Sequence, residues 1–355
     1  MGTEKTARGK LGEALARVGL VTAGFAVALL VLELVLRIVG LDAPAELDPS
    51  FDRPAVFYRP QAARMNPWAT GQSDTLRIAV IGDSFTDGQG NHGYDAYPAR
   101  LEALLNLNKG QRPAEVRIYA ERGSPTRGQL KFLHRALEWG PDIVVLGIFL
   151  NDTERVNSRK LLARRRDLRP RVPKGRLAWV LRRSAVLAWT YQRLENARCS
   201  RDTMAYFQYI YDPEYEGFKQ FARAIRTFRH LTKKDGVRLL AVVFPGMAAN
   251  GADYRFEFAH ERIREVLESS KVQSLDLREV YDGTMPLRMS AVPVVDSHPS
   301  EIAHRMAADA IFHRLLKDGA IDSGYRPNRR ENKGRQYWLR ETRRLKSVVH
   351  LAPKN

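Results

Sequence analysis

The sequence predicts an α/β fold built on a mostly parallel sheet with helices on both faces. Three observations predict it. Short β-branched runs alternate with helix-patterned stretches from Leu76 onward. Several of those runs are apolar throughout, which suits strands covered on both sides rather than on one. The chain, with 355 residues, 44% hydrophobic and 28% charged, is long and apolar enough to bury a large core and excludes wholesale disorder.

The strands are expected at Leu76–Ile81, Val116–Ala120, Ile143–Ile148, Val237–Phe244 and Val272–Asp276. Tyr97–Leu107 and Gln129–Trp139 carry helical periodicity between them. The segment between the third and fourth strands is long. With a basic stretch and helices around Ala178–Leu194 and Tyr215–Thr232, it reads as an insertion over about 155–232 that caps the carboxyl edge of the sheet. Residues 42–74, rich in Pro, Ala and polar side chains, read as a linker into a main domain spanning 75–320. Beyond it, 321–355 is a basic tail with Gly324, Pro327 and Gly334, expected to wrap the surface or stay unstructured.

The first forty residues carry a different signal. Val18–Leu41 is interrupted only by Glu33 and Arg37 and supplies the ~20 apolar residues a membrane span requires. Those two charges are four apart, so a helix places them on one face as a pair. Lys5, Arg8, Lys10 and Arg17 precede the run, which predicts a cytoplasmic N-terminus over 1–17, an anchor over 18–41 and the remainder on the extracytoplasmic side of the cytoplasmic membrane. A cleaved signal ending near Ala43-Pro-Ala45 and a buried helix are the alternatives.

The net charge of +18 is local. Arg155–Arg183 holds twelve basic residues against Asp167, and 317–355 holds eleven against four acids. Such strips favour anionic glycans or lipid headgroups, the plain alternative being a solvated arginine-rich face. No nucleic-acid motif accompanies the charge, so nucleic acid ranks last among partners. Cys199 stands alone and is expected as a buried, inert thiol; no Cys/His cluster has zinc spacing, so neither metal nor cofactor is expected.

The chemistry is carried by Ile81-Gly-Asp-Ser-Phe-Thr-Asp-Gly88. A buried strand ends there, Gly82 permits a tight turn, and Ser84 falls where open α/β sheets bind ligands, at a strand's carboxyl end. Its own backbone N–H, at the start of a helix, can face a developing oxyanion. A serine hydroxyl needs a base. Only Val295-Asp296-Ser-His298-Pro299 offers a histidine beside a carboxylate. On an extended segment the i, i+2 spacing turns both side chains the same way, so that Asp296 can hold one imidazole nitrogen while the other faces Ser84. Pro299 suits the first position of a following helix over Ser300–Leu316. His304 and His313 on that helix, His92 in a glycine-flanked loop, and Asp83, Asp87 and Asp152 read as structural or capping residues.

These strings resemble the blocks of the SGNH (GDSL) hydrolase family. Gly82-Asp83-Ser84-Phe85 resembles its first block. Gly123, within Glu121-Arg-Gly-Ser-Pro-Thr-Arg-Gly128, resembles its glycine block. Phe149-Leu-Asn151-Asp152 resembles its asparagine block and Asp296-Ser-His298-Pro299 its last. They occur in the family's order over Leu76–Leu316. The resemblance implies a flavodoxin-like fold with a five-stranded parallel sheet flanked by helices. It implies Ser84 as nucleophile, His298 as general base and acid, and Asp296 as its orienting partner. Ser84, Gly123 and Asn151 are the implied oxyanion donors. The chain departs from the family pattern at three points. Phe149 rather than glycine stands two before Asn151, the last block is D-x-H rather than D-x-x-H, and Glu121-Arg122 precede Gly123. The family's alginate-acetylation branch has a similar D-x-H. The expected function is a serine-dependent ester hydrolase on an acyl ester, an O-acylated glycan or lipid, outside the cytoplasmic membrane. The alternatives are an O-acyltransferase to a polysaccharide hydroxyl and a non-catalytic, membrane-tethered binding or assembly protein with the same fold.

Overall fold

The computed structural model describes residues 3–39, 74–107, 112–154, 168, 171–247, 254–282, 284, 289–292 and 296–325; the side chains of 3–11, 14, 291, 292, 296 and 297 are outside that description. The linker expected at 42–74, all but its last residue, and the tail beyond 325 lie outside the described residues, as do 155–167 and 169–170 of the basic stretch. Two compact units emerge, one of Met1–Ala55 with Ala163–Thr203, the other of Val56–Leu162 with Met204–Asn355.

In the larger unit, β1 (Leu76–Gly82), β2 (Ala114–Ala120), β3 (Ile143–Phe149), β4 (Arg238–Phe244) and β5 (Gln273–Asp276) form one parallel sheet in the order β2-β1-β3-β4-β5. The helices are α2 (Ser84–Asp87), α3 (Tyr97–Asn106), α4 (Thr126–Glu138), α7 (Glu216–Lys234), α8 (Glu257–Ser269), α9 (Leu277–Val280) and α10 (Glu301–Lys317). The smaller unit holds α1 (Thr3–Ile38), α5 (Gly175–Leu181) and most of α6 (Ala185–Ile210). All five strands fall where the sequence places them, within a few residues, and the flavodoxin-like architecture is the observed one.

Strands buried on both faces explain the unbroken apolar runs. Ile78, Val80, Val145 and Val242 share a core with Leu101 and Leu105 of α3 and with Ala307, Ile311 and Leu315 of α10. Their neighbours along the strands, Ala79, Ile81, Val144 and Val243, point to the opposite face, which α4 and α7 cover. α7 buries Phe218, Phe221, Ile225 and Phe228, a stripe at helical spacing. It packs on α4 and β4, so the segment between β3 and β4 contributes a sheet-covering helix as well as the elements of the smaller unit. After α10, Ile321 and Tyr325 are also buried, and Tyr325 donates its hydroxyl to the Arg112 carbonyl at 2.6 Å.

A two-stranded antiparallel ribbon, β6 (Ser290–Val292) with β7 (Asp296–Pro299), precedes α10. Here the structure corrects one expectation. Pro299 ends β7 and does not open the helix. Ser300 is the cap, its Oγ accepting the Ala303 N–H at 3.3 Å. A serine oxygen satisfies an otherwise orphaned N–H, whereas proline only removes a donor.

In the smaller unit, Leu15–Ile38 of α1 is a 24-residue stretch of mean hydropathy 2.4, long and apolar enough to cross a membrane. Its described apolar side chains are exposed, Leu36 excepted. Glu33 and Arg37 pair as expected, at 2.6 Å. Glu33 also accepts from Ala185 N (2.8 Å), Val186 N (3.0 Å) and Ser184 Oγ (2.9 Å), and so caps α6. Arg37 donates to the Arg183 carbonyl at 2.8 Å. A carboxylate suits a helix start, where N–H groups lack partners. Cys199 is partly exposed rather than buried, and desolvation pushes its thiol up from the ordinary value. Glu33→Ala should cost α6 about 1 kcal/mol at its N-terminus, read as faster amide hydrogen exchange at Ala185 and Val186.

Candidate active site

β1 and β3 lie side by side while their connections leave in opposite directions, an arrangement that opens a crevice at the carboxyl ends of the strands. β1 passes into α2 within one residue. Asp83 caps that helix, Oδ1 accepting the Phe85 N–H at 2.9 Å, and Ser84 becomes its first residue. The turn is tight because Gly82 has no side chain: a Cβ there would stand 2.0 Å from Thr86 Oγ1. Across the sheet, a Cβ on Gly147 would stand 2.5 Å from the same oxygen and 2.8 Å from the Tyr97 hydroxyl. The two glycines make the niche in which Thr86 Oγ1 and Tyr97 OH bond at 2.8 Å.

Ser84 Oγ lies 3.0 Å from His298 Nε2, within reach for proton transfer. β7 carries His298. Asn91 Nδ2 donates to the Pro299 carbonyl at 2.7 Å, tying the loop after α2 to the residue that follows the histidine. Beneath the pair, the Phe85 ring stacks on Phe149 at 3.9 Å and lies 5.3 Å from the His298 ring. Asp87 accepts from Arg122 at 2.6 Å, so the arginine before Gly123 braces α2 against the turn after β2.

Gly123 stands three residues past β2 with φ +71°. A Cβ there would meet nothing, so the backbone conformation asks for glycine, not the space. Asn151 stands two residues past β3. Its turn is held by Tyr211 OH donating to the Leu150 carbonyl at 2.9 Å and by Glu154 N donating to the Asn151 carbonyl at 2.9 Å. Among the described residues, neither the Gly123 N–H nor the Asn151 carboxamide has a hydrogen-bond partner. Of the five expected site residues, Ser84 and His298 are brought into contact. Gly123 and Asn151 follow the strands that flank β1. The Asp296 side chain lies outside the described residues; its backbone is extended in β7, two before His298.

Two carboxyls lie buried below the site. Burial pushes Asp83 up to about 6, against the pull of the Phe85 N–H and of His298. Asp152 Oδ2 accepts from Thr126 Oγ1 at 2.7 Å. Burial, and then repulsion from Asp83, raise Asp152 well above the usual carboxylate range. Asp83 Oδ2 and Asp152 Oδ1 have no partner among the described residues. His304 is also buried; burial foremost holds it down to about 3, so it stays neutral and its Nδ1 accepts the Tyr97 N–H at 3.3 Å. His313 sits 3.4 Å from Asp309 on its own helix, and His92 stacks on Tyr94 at 5.3 Å.

Local sequence reading missed Thr86, Tyr97, Asn91 and the Arg122–Asp87 pair, since all are long-range contacts. The one available signal was Gly147, a glycine inside an apolar strand, which marks a close approach.

The sheet order and a serine in contact with a histidine above its switch point define a flavodoxin-like hydrolase of the serine type. The model of the GDSL-like lipase/acylhydrolase family matches residues 80–306, and the chain belongs to that family. It is a serine ester hydrolase. Solved structures similar to it include an acetylxylan esterase from Geobacillus stearothermophilus (15% identity, 70% of this chain, 97% of that one, TM-score 0.44). Another is the psychrotrophic esterase EstA from Pseudoalteromonas sp. (12%, 68% and 97%, TM-score 0.40). A third is TesA (14%, 68% and 98%, TM-score 0.41). No curated protein matches the chain in sequence.

Gly82→Ala should destabilise the larger unit by about 1–3 kcal/mol, the cost of overpacking a closed niche, measured as a lower urea midpoint. Asp83 has its folded pKa raised, so its stabilising contribution is complete below its ordinary value of 3.8 and is lost as pH climbs through about 6. Asp83→Asn keeps the cap, and should flatten the fall in Tm between pH 4 and 7 while raising Tm at pH 8.

Proposed function

We propose that the chain hydrolyses an acyl ester of a glycan or lipid outside the cytoplasmic membrane, held there by α1, with Ser84 as nucleophile. The observation that carries this reading is the 3.0 Å contact between Ser84 Oγ and His298 Nε2 at the carboxyl end of β1. In the first half-reaction Ser84 Oγ attacks the ester carbonyl carbon and its proton passes to His298 Nε2. The oxyanion of the tetrahedral intermediate accepts hydrogen bonds from Ser84 N–H, Gly123 N–H and the Asn151 amide. The intermediate collapses to an acyl-serine, and His298 gives its proton to the leaving alkoxide. Water then attacks the acyl-serine, His298 takes its proton, and the acid departs as Ser84 is reprotonated. Asp296 orients the imidazole and favours its charged form during both steps. A sugar hydroxyl in place of that water would make the same site an acyltransferase.

The places of Gly123 and Asn151, just past the two strands that flank β1, support the oxyanion assignment, since donors fixed by the backbone are preorganised for the developing charge. Retention of α1 as an anchor is supported by Glu33, because cleavage after Ala45 would remove the carboxylate that caps α6.

A fluorophosphonate probe should label the wild-type protein and leave Ser84→Ala unlabelled. His298→Ala should lower kcat/KM on a short-chain aryl ester by roughly 10³-fold or more, and Asn151→Ala by about 10²–10³. Absence of labelling in a folded wild type would return the chain to the class of binding and assembly proteins.

A further inference from the structure

We infer that α5 and the first turns of α6 form a membrane-docking surface that seats on anionic phospholipid where α1 leaves the bilayer. The inference rests on the reading of α1 as a span. Position is the first argument. Glu33 and Arg37 lie in the last two turns of the apolar stretch Leu15–Ile38. Glu33 holds Ser184, Ala185 and Val186, and Arg37 holds the Arg183 carbonyl. The junction of α5 and α6 is therefore fixed at the end of the span, at the boundary between hydrocarbon and headgroups.

Chemistry is the second argument. α5 buries Ala178 and Leu181 yet exposes Leu177, Trp179 and Val180, the tryptophan by 57%. Leu187, one turn into α6, is exposed as well. A short helix in water gains nothing from showing three large apolar side chains in four positions. At a membrane interface they insert at the boundary between headgroups and acyl chains, and tryptophan is enriched at that depth. Apart from Glu33, which is paired with Arg37 and engaged by the start of α6, the charges beside them are positive. Arg171–Leu194 contains six basic residues and no acid. Arg176, Arg182 and Arg183 are exposed on or beside α5. The Arg183 guanidinium lies over the Trp179 ring at 3.6 Å, so an apolar plane and a cation face outward together. That pairing fits a phosphate above and an acyl boundary beneath.

The chain has a single cysteine, Cys199, which allows a direct test. Full-length Cys199→Ser carrying Leu177→Cys is labelled with an environment-sensitive dye and reconstituted in vesicles of phosphatidylcholine with phosphatidylglycerol and a spin-labelled phospholipid. The same dye at Glu265→Cys, a position exposed on α8, is the control. Quenching should be at least about threefold greater at 177 than at 265. It should fall to the control level on pure phosphatidylcholine and in Arg176→Glu/Arg182→Glu/Arg183→Glu, while alkaline carbonate leaves every variant in the membrane. Equal quenching at both positions in membrane-retained protein overturns the docking surface and leaves the anchor intact. Release by carbonate overturns the anchor and the surface together. Quenching at 177 that ignores lipid charge and the arginine reversals overturns the anionic partner. Disulfide-linked dimers of the unlabelled Leu177→Cys variant, with no quenching in the labelled protein, give the face to a second copy.

Discussion

The active-site end of the sheet depends on two missing side chains. Gly82 and Gly147 lie on neighbouring strands, and their bare α-carbons leave room for Thr86 to come down onto the sheet and meet Tyr97. Because Thr86 can lie so low, α2 starts one residue after β1 and Ser84 stands at the crevice rather than above it. Tyr97 opens α3 and donates its backbone N–H to His304 Nδ1 on α10, so the same niche joins the turn that carries Ser84 to the helix that follows His298. A methyl group at either glycine would lift α2, and the distance between Ser84 and His298 would be the first to change.

Much of this was legible in the sequence, and the reason is local periodicity. The central strands β3 and β4 could be placed because strands covered on both faces must be apolar at consecutive positions, and Leu239–Phe244 satisfies that without exception. Ser84 and His298 were legible because their neighbours, Gly82 on one side and the extended Asp296–Pro299 segment on the other, carry backbone signals of their own. The cross-links between them were not. Asn91 reaches Pro299 across 208 residues and Arg122 reaches Asp87 across 35, and no short window contains both ends of either bond. The three departures from the family blocks are informative in this light. Arg122 has a partner in Asp87, and Phe149 stacks on Phe85; neither position is a gap in the pattern. The shortened Asp296-Ser-His298 block lies on extended backbone, as its i, i+2 spacing requires.

The charge balance under the site is unusual for a core. Asp83 and Asp152 are both buried and each leaves one carboxyl oxygen without a partner among the described residues. Burial favours their protonated forms, and their mutual repulsion means that the first ionisation raises the cost of the second. His298 sits within the field of Asp83 and draws that carboxyl toward ionisation. The His298 imidazole thus lies in the field of a buried acid as well as in contact with Ser84. Coupling of this kind ties the electrostatics of the turn that carries Ser84 to His298.

Tyr325 has a consequence for where the larger unit can be trimmed. With its ring enclosed and its hydroxyl on the Arg112 carbonyl, it plugs the edge of the sheet beside the start of β2, and Ile321 fills the space next to it. The last helix ends at Lys317, yet buried side chains continue at Ile321 and Tyr325. A soluble version trimmed at the helix would carry an open seam at the foot of β2. One that keeps Tyr325 would retain that seal at the foot of β2.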